Sequence, residues 1–179
     1  MERHEKVLKV AAKFFDESRD VNPYASAATM RALDALIRNA IADGLARAAQ
    51  KWRSVYQAQS RLIGVPTRDN PFPDPKALTL LKDYKRMADG LSEWVSRLHA
   101  LPIPSNDRVY HRIRDNDQLL ELLIAQDYAI TIISESLDHL GDSLTSASAE
   151  ALSLQFTEKL AELEAAIASR SRILSNVPV

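Results

Sequence analysis

The sequence predicts an all-α protein: an up-and-down bundle of four long helices with coiled-coil-like packing, plus a shorter N-terminal helix. Three observations carry this. Apolar residues recur in alternating steps of three and four along most of the 179 residues. Glycine is scarce, at 4 residues, which favours long helices over a β fold. Every interruption of the apolar period coincides with proline or with a Gly/Ser/Thr cluster.

The first helix is expected over about residues 3–18, with Val7, Leu8, Ala11, Phe14 and Phe15 on one face and Lys6, Lys9 and Lys13 on the other. Such a segment either docks on the bundle as an arm or makes peripheral contact with a membrane surface. "RDVNPY" (19–24) ends it, because Pro23 cannot continue a helix.

A second helix follows over 26–62, with Ser26 as N-cap and a seam through Met30, Leu33, Ile37, Ile41, Leu45, Ala48, Trp52 and Val55. "GVPTRDNPFPDP" (64–75) is the longest break. Asp74 then Pro75 is a favourable start for a third helix over 75–101, carrying Tyr84, Ala88, Leu91, Val95 and Leu98. "LPIPSNDR" (101–108) is a second proline-rich turn.

The most apolar stretch, "LLELLIAQDYAITIISESLDHL" (119–140), poses a choice between membrane and core. Glu121, Asp127, Glu135 and Asp138 interrupt it, each costing roughly 2.5–3.5 kcal/mol at a bilayer centre, so no simple integral span is expected. Leu119, Leu123, Gln126, Ile130, Ile133, Leu137 and Leu140 define a seam, and the flanking Leu120, Leu122 and Ile124 widen it into a helix buried on more than one side. "GDSLTSAS" (141–148) is short enough to make an antiparallel hairpin with a last helix over 147–175, whose seam holds Leu152, Phe156, Leu160, Leu163, Ile167 and Leu174.

These elements make one domain over 1–179, with 1–24 an N-terminal arm and 25–179 the four-helix core. The chain has no cysteine, which excludes disulfides and thiolate chemistry. "MERHEKVLKV" is too charged for a secretory leader, so the cytoplasm is the expected compartment.

The net charge of −1 hides an asymmetry. Residues 115–179 carry three bases against eleven acids, while the preceding residues carry twenty bases against thirteen acids. Much of the positive charge lies on the second helix, at Arg31, Arg38, Arg47, Lys51, Arg53 and Arg61. It pairs either with the acidic helices of the same chain or with a second subunit, or it faces a polyanion such as nucleic acid. The near-neutral balance and the lack of a recognised nucleic-acid motif weigh against the last of these.

The search for chemistry is mostly negative. There is no metal-binding H-E-x-x-H, no Gly-rich phosphate loop and no nucleophile elbow. Glu135, Asp138 and His139 do not have the Glu-x-x-His spacing of a di-iron helix. No catalytic residue, metal or cofactor is therefore expected, and the chain reads as a non-enzyme.

The candidate contacts are Arg38, Arg47, Lys51, Arg61, Trp52 and Trp94 for a protein partner or self-association. In "RVYHRIR", Arg108, His111, Arg112 and Arg114 are candidates for an anion; alternatively they decorate a solvated turn. Gln126 and Arg170 are polar residues at seam positions, which either rotate to solvent or fix register when buried. The expected function is a scaffold or adaptor acting through helix–helix contact, self-associating. The alternatives are a module binding a small or anionic ligand, or a helical protein that uses its basic N-terminal half on a membrane surface or nucleic acid.

Overall fold

The computed structural model describes residues 2–15, 22–63, 68, 74–102, 104 and 106–175. Among these the chain forms six helices and no strand: α1 (Arg3–Phe14), α2 (Ala27–Ile63), α3 (Pro75–Ala100), α4 (Asp107–Arg114), α5 (Asp117–Ser143) and α6 (Ala149–Ser175). The helix bundle expected from the apolar period is present. Most of the 64–75 break lies outside the described residues, as does the segment 16–21.

Local chemistry sets several of the starts. The Asp74 side chain accepts from the Lys76 amide with Pro75 at the first helical position, and Asn116 accepts from the Leu119 amide ahead of α5. The α4 start uses Asn106, whose side chain accepts from the Arg108 amide. This short helix corrects the expectation of a solvated turn over 108–114: it buries Tyr110 and Ile113 against the bundle. Its eight residues hold too few apolar positions to display a period.

The long helices form two antiparallel hairpins, α2/α3 and α5/α6, laid side by side. Tyr24, Arg47 and Lys51 meet Asp127, Asp138 and Asp142 in that order, so α2 and α5 run parallel through the middle of the molecule. α3 packs along α2 and α6 along α5, whereas α3 and α6 approach each other at only a few residues. The bundle thus has three well-packed flanks and one open one.

At one end the core is aromatic. The fully buried Trp52 ring of α2 lies 5.6 Å from both Tyr84 of α3, tilted, and Phe156 of α6, edge-on. Such pairs contribute about 0.5–1.5 kcal/mol each beyond burial itself. Burial also pushes the Tyr84 hydroxyl pKa up, with Glu150 and Asp83 adding to it.

α1 docks against α5 and, less extensively, α2. Its buried face is Val10, Ala11 and Phe14, with Val7 and Phe15 partly covered. Leu8 is 42 % exposed, so the apolar face is rotated from the one the sequence suggested. Lys9 pairs with Glu135 at 2.9 Å and Lys13 with Asp138 at 3.0 Å. Of the residues that suggested membrane contact, Lys9 and Lys13 pair with α5, Phe14 is buried in the core, Phe15 packs on it, and Lys6 is half-buried. Among the described residues, no helix is long and apolar enough to cross a membrane.

Candidate functional site

Two features stand out: a buried charge cluster, and the open flank above it. The cluster joins three helices. Arg170 of α6 donates to Asp127 of α5 at 2.6 Å and also to Asp34 of α2, whose other carboxylate oxygen accepts from Arg38 one turn later. The Tyr24 hydroxyl donates to Asp127 at 2.9 Å, and Arg38 also donates to the Leu101 carbonyl at the end of α3.

Both aspartates are essentially sealed from solvent, and the two arginines are nearly so. Two guanidiniums against two carboxylates leave no net charge, which is the condition for tolerating such burial. Burial raises the Asp127 pKa even though Arg170 and Tyr24 pull it down. Burial also works against the Arg170 charge, but Asp127 and Asp34 hold the guanidinium above its ordinary value. The Tyr24 hydroxyl is pushed well up, by burial first and by Asp127 second. Every charge here has a partner, so the cluster ties α2, α5 and α6 together and offers no free group for catalysis.

The open flank is a groove between α3 and α6. Three cavities lie along it. One of about 200 Å³, at the end of the groove, is lined by Leu80, Leu81 and Tyr84 of α3, by Gln59 and Ile63 of α2, and by Ser146, Ala147 and Glu150. The next, about 410 Å³, lies between Met87, Gly90 and Leu91 and, opposite, Ser153, Thr157 and Leu160. The third, about 380 Å³, lies between Trp94, Leu98 and Leu101 and, opposite, Ile167, Ala168 and Ser171. Trp94 is the wall shared by the last two. From Leu80 to Leu101 the groove runs about 31 Å at 1.5 Å per residue.

Its walls are mostly apolar and its lips differ in charge. Arg86, paired with Asp83 at 3.1 Å, and Arg97 stand on the α3 side, and Glu150 and Glu164 on the α6 side. Arg97 lies over the Trp94 ring, 5.7 Å from its centroid, and its carboxylate neighbour is Glu93 of its own helix at 3.6 Å. Gly90 matters here, because a Cβ added to it meets no atom within 4 Å. The helix leaves a hole where a side chain would stand.

The residues singled out from the sequence fall in different places. Trp94 lines the groove, half-buried. Trp52 is wholly core and is corrected as a partner contact. Arg38 belongs to the buried cluster. Arg47 and Lys51 reach Asp138 and Asp142 of α5 at 3.2 and 2.7 Å, so they complement an acidic helix of the same chain; Arg61 is exposed near the end of α2.

The α4 arginines do not converge on one point. Arg112 donates to the Ile173 carbonyl in the last turn of α6, Arg114 pairs with Asp115, and Arg108 and His111 are exposed. Arg170 is buried, whereas Gln126 is only partly so. Sequence reasoning missed Asp34, Tyr24 and Gly90 as members of any site. Among the described residues, no group of three or more His, Cys, Asp or Glu could hold a metal ion.

Comparison with known proteins finds no matching family model, no matching curated protein and no matching solved structure.

Proposed function

We propose that this protein is a non-enzymatic adaptor that works by helix-to-helix contact, and that the α3–α6 groove is its contact surface. The observation that supports this most is the groove's form. Two apolar cavities and a smaller, more polar one follow one another at intervals of about two helical turns along two parallel helices. That is the spacing at which a third helix presents large side chains at every seventh position. Helix-in-groove recognition uses such periodic apolar anchors, and its flanking charges select the partner and its orientation. The buried cluster serves this role indirectly, by fixing α6 relative to α2.

A photo-crosslinking amino acid tests the reading. Thr157→p-benzoylphenylalanine places the reactive ketone at the rim of the middle cavity from the exposed α6 side and leaves the space beside Gly90 open. Irradiation in cells should link the protein to an amphipathic helical segment of another polypeptide chain, identified by mass spectrometry of the linked peptide. A folded protein that forms no polypeptide cross-link from this position refutes the proposal.

A further inference from the structure

We infer that the helix that fills the groove is α6 of a second copy of this chain, so that each α6 seats in the α3–α6 groove of its partner. The inference rests on the adaptor reading and specifies its occupant.

The first argument is that α6 has apolar side chains on a face it does not use. Leu154, Ala161, Ala165 and Ala168 follow one another at steps of seven, four and three, and all are exposed, Leu154 by 65 %. Alanine, the best helix former, is ordinary on an exposed helix face, so what this face offers a partner is Leu154 and a run of small residues that permits close approach. This face adjoins the groove, with Ala168 belonging to both. A groove and an apolar ridge side by side on one molecule are self-complementary under a two-fold rotation, the commonest symmetry of soluble oligomers. Alanine at three of the four positions lets the two α6 backbones approach closely, while Leu154 supplies a large side chain for a cavity.

The second argument is charge. Outside its buried Arg170, α6 carries four acids, Glu150, Glu158, Glu162 and Glu164, against Lys159 and Arg172, while α3 carries five bases against Asp83, Asp89 and Glu93, two of which already lie beside Arg86 and Arg97. A partner α6 lying between α3 and α6 puts its carboxylates beside the α3 lip. A partner α3 in the same place would set a helix of net positive charge against a lip of the same sign. The groove therefore selects α6 over α3 as the inserted helix.

The third argument is size. A strip about 31 Å long and two helices wide, about 20 Å, covers about 600 Å² on each partner, or about 1,200 Å² in all. That is the lower end of the range for specific interfaces, and it predicts a dimer that dissociates on dilution.

The test uses the full chain. Light scattering and sedimentation from micromolar to millimolar concentration should show a monomer–dimer equilibrium. Gly90→Leu fills the middle cavity and should weaken the dimer at least tenfold without lowering the melting temperature, since leucine is a better helix former than glycine. Arg86→Glu with Arg97→Glu should weaken it comparably.

The chain has no cysteine, so Ala161→Cys introduces a single thiol. It stands near the middle of α6, where symmetry mates meet whether the two helices run parallel or antiparallel. Mild oxidation should give a disulfide-linked dimer, whereas Ala12→Cys on the exposed face of α1 should not.

A strict monomer with no linked Ala161→Cys dimer overturns the inference, as does a dimer indifferent to Gly90→Leu and the α3 reversals. In either case the Thr157 photo-cross-link separates the two ideas. A link to a different protein leaves the adaptor reading standing, and no link removes both.

Discussion

Arg170→Met breaks the buried cluster at its centre, and its cost follows from the contacts. Among the described residues, Arg170 alone pairs with both Asp127 and Asp34. Without it, Arg38 still neutralises Asp34, but Asp127 keeps only the Tyr24 hydroxyl and stands as an uncompensated charge in a site closed to solvent. Breaking a buried pair from one side costs about 3–5 kcal/mol. At roughly 2–4 °C per kcal/mol for a chain of this size, the melting temperature should fall by roughly 6–20 °C.

The loss should also depend on pH. Burial already raises the Asp127 pKa in the wild type, and removing Arg170 takes away the largest influence that lowers it. A carboxyl whose folded pKa lies above its unfolded value of about 3.9 takes up protons on folding, so stability falls as pH rises through that window. The deficit should therefore be greatest at neutral pH and shrink as acid protonates Asp127. Urea titrations followed by far-UV circular dichroism, at neutral pH and at about pH 5, measure both effects.

Arg170→Met with Asp127→Leu and Tyr24→Phe removes the pair and the hydroxyl it would orphan. That triple variant should recover most of the loss, because a buried ion pair exchanged as a unit for apolar residues is often neutral. A single-variant loss below about 1 kcal/mol, or one that does not change with pH, refutes this account of the cluster.

Three further outcomes follow from the structure. Trp52→Ala should cost about 3–5 kcal/mol by opening a cavity between Tyr84 and Phe156, whereas Trp52→Phe should cost far less, because the indole N–H is buried without an acceptor; thermal melts of the pair decide it. Gly90→Ala should stabilise by about 0.5–1 kcal/mol in denaturant titration, but Gly44→Ala should gain less or lose, since its Cβ would stand 2.8 Å from the Asp138 carboxylate and displace it from Arg47 and Lys13. Arg47→Glu with Lys51→Glu should lower the melting temperature more at low salt than at high salt, the mark of exposed pairs with α5; salt-sensitive duplex DNA binding lost with these reversals would instead assign the basic residues to nucleic acid.

The long helices were legible because each carries enough turns for an apolar period to emerge, and because Asp74–Pro75 and Ser26 announce starts. The expected second helix, 26–62, differs from Ala27–Ile63 by one residue at each end. α4 was not legible, since two buried residues three apart in an arginine-rich octamer look like a turn. The charge cluster was half visible. Arg170 stood out as a polar residue in an apolar seam, but its partners lie 43 and 136 residues away, and no local pattern links them. The open flank was the least legible, because periodicity states that a helix has an apolar face without stating which neighbour closes on it.

The reason the flank stays open lies in what fills the centre. Around a square of four helices, α2 and α6 are diagonal, and here side chains span that diagonal at both ends. Arg170 reaches Asp34 near one end, and Phe156 reaches the Trp52 ring near the other. α3, anchored to α2 through Tyr84 on Trp52, through the Arg53–Ser92 hydrogen bond and through Arg38 on Leu101, cannot follow α6 inward. The buried residues that specify the fold thus tie α3 and α6 each to α2, and the two helices meet each other at only a few residues. Trp94 and Gly90 line the space that results, and the function proposed for this protein depends on that space being filled from outside.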